Sequence, residues 1–148
     1  MKTQYDSEAR GIDGGKQVKG RKRHIVVDTL GDLLHVCVHA ANIHDTSAGG
    51  AVMASAAEKH ATITAFSADA GYRGTALSFV HETLNLTLHI ATKIKHTFAI
   101  LPKRWIVERT FAWLGHFRRL AKDFEILKRT AENIIRIAML KITLAKCV

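Results

Sequence analysis

Two carboxylates in this sequence stand where chemistry could be done. Glu108 is the one acid in "RWIVERTFAWLGHFRRL" (104–120), a stretch that also holds Arg104, Arg109, Arg118, Arg119 and His116. Asp69 lies in "FSADAGYRG", after a short apolar run and before a glycine turn, the place where α/β sheets put ligand-binding residues. Taken singly, each has an ordinary explanation. Asp69 could close an Asx-turn or cap the next helix, and Glu108 could pair with Arg104 one helical turn earlier for ~0.3–0.5 kcal/mol. Taken together they suit metal-dependent phosphoryl transfer, which needs hard oxygen ligands from separate elements around ions ~4 Å apart. The arginines around Glu108 would then hold a phosphate backbone beside the cation.

The elements that must position them follow from local pattern. The β-branched runs "RHIVVDT" (23–29) and "LLHVCVHAA" (33–41) flank "LGD" and predict an antiparallel hairpin. Asp45 is a suitable N-cap for an Ala-rich helix running to about residue 60. "TITAFSAD" predicts a third strand ending at Asp69, residues 74–85 a helix and "LTLHIA" (86–91) a fourth strand. Pro102 is tolerated in a first turn and opens a long basic helix. A last helix over about 131–146 is apolar nearly all round and is expected to be buried. Residues 1–15 form an irregular lead-in, and 16–148 form one domain, a mixed α/β sheet with helical cover.

A length of 148 residues with 47% hydrophobic and 24% charged content supports one domain with a real core. The formal net charge of +9 is the footprint of a polyanion partner, nucleic acid first. The run "KQVKGRKRH" (16–24) concentrates that charge, so Lys16, Lys19, Arg21, Lys22 and Arg23 are assigned to DNA backbone contact with Arg104, Arg109, Arg118 and Arg119. Cys37 and Cys147 have no zinc-type spacing and read as reduced core residues of a cytoplasmic protein. No segment reads as a signal peptide or membrane span. His35 and His39 share a face of a strand without forming a zinc site, and Trp105, Phe111, Trp113 and Phe117 are expected to anchor the basic helix in the core.

"GGKQVKGRKRHIVVDTLG", "HAANIHD", "ADAGYRG" and "RWIVERTFAWLGHFRRLAKDFE" resemble, in order and across nearly the whole chain, the DDE transposases of bacterial insertion sequences. The resemblance implies a ribonuclease H-like sheet with helices on both faces. In that fold two Asp and one Glu bind Mg²⁺ (or Mn²⁺), cleave transposon ends by water attack and join the freed 3′-hydroxyl to target DNA. Asp69 falls on the second Asp and Glu108 on the Glu. Of the family's C-terminal signature, Arg104 and Glu108 match, Leu101 replaces a Tyr, and Gly115 stands where a basic residue is common, with Arg118 one turn later as a substitute.

The first catalytic Asp of the family lies on a strand upstream of the region resembling "KTQYDSEARGIDGGKQVKG", so the reading is a truncated domain lacking its first strand, between 23–29 and 63–68. Asp6, Asp13 and Asp28 are the available substitutes; none is promoted, and Asp28 is expected to end a hairpin strand. The function expected is DNA transposition, with a chain inactive alone. The alternatives are a non-catalytic DNA-binding fragment that interferes with or pairs with full-length transposase, and a basic nucleic-acid-binding protein without a metal site. Partners are DNA and a second copy or a full-length transposase.

Overall fold

The computed structural model describes residues 1–91 and 102–148. In chain order the strands are β1 (Gly11–Asp13), β2 (Val18–Val27), β3 (Leu33–Ala40), β4 (Ala65–Ala68) and β5 (Thr87–Ile90). The helices are α1 (Asp45–Lys59), α2 (Thr75–Glu82), α3 (Pro102–Gly115) and α4 (Lys128–Lys146), with short 3₁₀ turns at Ala70–Tyr72 and Arg118–Leu120. β2 and β3 form the expected antiparallel hairpin, in register from Arg21 opposite Ala40 to Val26 opposite His35, with a shift that sets Val27 opposite Leu33. Asp28 ends the first strand, its Oδ1 accepting from the N–H groups of Leu30 and Asp32 at 2.9 Å each. Gly31 fills the turn at φ +86°, a left-handed conformation that costs glycine little.

β4 and β5 run parallel, Ala65 opposite Thr87 to Ala68 opposite Ile90, as a crossover through α2 requires. They form a sheet of their own, and no described ladder joins them to β1–β2–β3. Two clusters of apolar side chains accompany the two sheets. Val36 and Val38 on one face of β3 pack with Leu114, Leu120, Ala131, Ile135 and Met139 of the C-terminal helices. Phe66 and Leu88 of the parallel pair pack with Met53 and Ala56 of α1 and Ala76 and Val80 of α2.

Residues 1–15 are more ordered than their composition suggests. β1 pairs antiparallel with the start of β2, and Lys2 bridges to Gly20. The N–H groups of Gln4 and Glu8 donate to the carbonyls of Asp123 and Ile126, 2.9 Å each. The organising group is Arg21, 0% exposed, whose guanidinium grips Asp123 at 2.6 and 2.7 Å and donates to the carbonyls of Glu125 at 2.5 Å and Glu8 at 3.3 Å. Its assignment to DNA contact is therefore wrong: the side chain points inward and its donors are spent on Asp123 and two backbone carbonyls.

The last helix departs from expectation in the same manner. Ala131, Ile135, Ala138 and Met139 are buried, but Ile137, Leu140 and Leu144 are 63%, 59% and 57% exposed. Only one stripe meets β3 and α3, because these elements cover one side of the helix. Its end is tied down by Asp32, which accepts from Thr143 Oγ1 at 2.8 Å and Lys146 Nζ at 2.7 Å.

Candidate active site

Asp69 stands at the C-terminal end of β4 and opens the 3₁₀ turn. Its Oδ1 accepts the Gly71 N–H at 2.9 Å, the Asx-type role open to it from the sequence, while no described hydrogen bond reaches Oδ2. The residue is exposed, and one of its carboxylate oxygens fixes the turn. Glu108 is also exposed and takes the Arg104 Nε at 2.7 Å, the i, i+4 pair expected on the helix. α3 packs against β4, so the two carboxylates are carried by neighbouring elements. Among the described residues no three His, Cys, Asp or Glu side chains converge as a metal cage would require.

Asp6, Asp13 and Asp28 are occupied elsewhere. Asp6 pairs with Arg10, and Asp13 Oδ1 accepts from the N–H groups of Gly15 and Lys16, bonds that hold its pKa below the usual carboxylate value. Leu101 lies outside the described residues.

The cations divide by what they touch. Lys16 and Lys19 on the β1–β2 hairpin and Arg118 after α3 are exposed, with no ion pair among the described residues. Lys22 pairs with Asp45 at 3.2 Å and donates to the Ile43 carbonyl at 3.0 Å. Arg23 donates to the Leu120 carbonyl at 3.1 Å, and burial lowers its pKa. Arg119 pairs with Glu125 at 2.7 Å. Arg109 lies between the rings of Trp105 and Trp113, 4.6 and 4.5 Å from their centroids. That stack corrects the expectation of four core anchors. Trp105 and Phe111 are 45% and 38% exposed, because the buried face of α3 is Thr110 and Leu114 instead.

Residues 1–141 match the family model described as "Transposase DDE domain". The chain belongs to this family. No curated protein and no solved structure matches it.

Within this transposase domain the structure adds a group around Asp69 that motif reading did not single out. Tyr72 Oη lies 2.6 Å from His24 Nδ1 on β2. The His24 ring stacks on His39 at 4.6 Å, and its Nε2 is 3.8 Å from Asp45 Oδ1. Burial, then the neighbouring His39, pushes the His24 pKa down to about 4, and burial raises that of Tyr72. With the histidine neutral and the phenol intact, the two groups share one short hydrogen bond. Asp45 enters this group as the first residue of α1 and not as its cap, which is His44. The sequence signal was the Tyr three residues after Asp69 together with an inward-facing His on β2, which only strand pairing relates.

Proposed function

We propose that this chain carries a ribonuclease H-like transposase catalytic domain, with Asp69 and Glu108 as two of three carboxylates that hold Mg²⁺ or Mn²⁺ at the cleavage site. The observation that carries the reading is the position of Asp69 at the end of β4, beside α3 with Glu108, in a chain of the DDE family. The donor set fits a hard divalent cation in kind, since both groups are exposed carboxylates and one oxygen of Asp69 has no described partner. It falls short in number, because no third ligand joins them among the described residues.

The missing ligand and the break between the two sheets share one cause in this reading, a family strand bearing the first Asp between β2 and β4. With only two of the three carboxylates in place among the described residues, the domain is inactive alone in this reading. Its own residues still bind and orient DNA: Lys16, Lys19 and Arg118 contact phosphates directly. Arg104, Arg109, Arg119, Lys22 and Arg23, each already held by a protein partner, add positive potential. When bound, the metal would activate the attacking oxygen and stabilise the leaving one. Cytoplasmic DNA is the substrate, and no described helix is long and apolar enough to cross a membrane.

A nicking and joining assay tests the reading. The chain as it stands should give no Mg²⁺- or Mn²⁺-dependent product, whereas extension upstream with a family-like strand bearing Asp should restore cleavage that Asp69→Asn or Glu108→Gln removes again. Cleavage by the unextended chain would overturn it. Non-catalytic DNA binding is the second reading, favoured by exposed Lys16, Lys19 and Arg118, whose role needs no complete carboxylate set.

A further inference from the structure

We infer that Tyr72 is a positioning residue, clamped by His24 and seated in a notch at Gly49, that fixes the turn presenting the Asp69 carboxylate. The inference rests on the reading of Asp69 as a metal ligand. Three observations support it. The turn is closed from inside, with the Tyr72 N–H donating to the Asp69 carbonyl at 3.2 Å and the Gly71 N–H to Asp69 Oδ1 at 2.9 Å. It is held from outside by the short Tyr72–His24 hydrogen bond, which ties it to β2 in the other sheet. The phenol ring lies against α1 where Gly49 leaves room, since a Cβ there would stand 2.5 Å from Tyr72 Cδ1.

These contacts bear on the metal site because no ladder connects β4 to β2. The Tyr72 side chain does by hydrogen bond and packing what a shared strand would do by backbone pairing. His24 is itself fixed by stacking on His39, whose Nδ1 lies 2.9 Å from the Ala40 carbonyl. A ligand carboxylate held by such outer contacts keeps its orientation before the cation arrives, and loss of outer-shell partners typically costs 10–100-fold in metal affinity.

The test uses the full chain and two NMR readouts, fast amide exchange at Gly71 and residue 72, and Mn²⁺-induced broadening of the same signals. Tyr72→Phe removes the hydroxyl alone, Gly49→Ala fills the notch, and His24→Asn keeps a hydrogen-bonding amide near the position of Nδ1. Tyr72→Phe and Gly49→Ala should speed exchange at both sites about tenfold, the size expected for one lost hydrogen bond. They should also raise the Mn²⁺ concentration needed for broadening at least tenfold. His24→Asn should stay near the parent, and the amides of Val36 and Val38 in β3 should not change in any variant. Unaltered exchange in Tyr72→Phe, or an equal rise at Val36 and Val38, would overturn the inference. Broadening that survives Asp69→Asn would overturn the ligand reading instead, with the exchange data still deciding the clamp.

Discussion

Arg21–Asp123 and Arg104–Glu108 are ion pairs of nearly the same length, 2.6 and 2.7 Å, and of opposite meaning. The first joins side chains 1% and 2% exposed, bidentate, with further bonds to backbone carbonyls. The second joins neighbours on one helix, 37% and 57% exposed. Removing one partner of a buried pair strands a charge away from water, whereas an exposed pair is screened and contributes little. The inward pair therefore holds the N-terminal segment, β2 and the 123–125 stretch together, and the outward pair leaves Glu108 at the solvent-exposed surface of α3.

The largest effect expected from breaking this contrast is on stability. Asp123→Ala should cost about 3–5 kcal/mol, enough to unfold much of the population, because Arg21 loses its counter-ion while remaining buried. Urea unfolding followed by circular dichroism measures it, and a loss below about 1 kcal/mol would show that the pair is solvated.

Acid should act next, through His24. Its folded pKa of about 4 lies below the ordinary 6.5, so the unfolded chain binds the proton more readily between these values. Its contribution is complete above pH 6.5 and lost as the pH falls towards 4, a decline of up to about 3 kcal/mol. The groups facing His24 are Tyr72 and Asp69 from the β4–α2 segment, Asp45 from α1, His39 from β3 and Lys22 from its own strand. The unfolding midpoint at pH 7 and pH 4.5 should differ in the parent and much less in His24→Asn.

Smaller changes should follow at the outward-facing cations. Alanine at Lys16, Lys19 or Arg118 should leave the melting temperature nearly unchanged and flatten the dependence of log K on log salt for duplex DNA by about 0.9 for each phosphate no longer neutralised. An unchanged slope in all three variants would remove these residues from the DNA surface. Smallest of all in stability is Glu108→Gln, about 0.3–0.5 kcal/mol from the helical ion pair. A loss of several kcal/mol there would mean that Glu108 serves the fold.

Much of the fold was legible because it is local. Strand alternation in 23–27 and 33–40, Asp28 at the hairpin turn, Pro102 at a helix start and the apolar run before Asp69 each reflect neighbours within a few residues. The family match over residues 1–141 agrees with the resemblance read from motifs spread along the same span. The errors lie where burial is set by distant partners. "KQVKGRKRH" offers five Lys and Arg side chains of equal appeal, yet β2 turns Arg21 towards Asp123, far along the chain, and leaves Lys19 outside. The rings of α3 and the apolar positions of α4 carried hydrophobic pattern without information on which side a neighbour would cover.

By itself, then, the sequence determined the order and kind of the elements, the family and the basic character, since composition, spacing and motif act through short-range geometry. Tertiary structure decided which arginine is a structural ion and which cations reach solvent. It also decided that the N-terminal segment is laced to residues 123–128 and that Tyr72, in the turn after β4, meets His24 of β2. Those outcomes depend on desolvation and on contacts between residues far apart in the chain, and neither is encoded in any window of neighbouring residues.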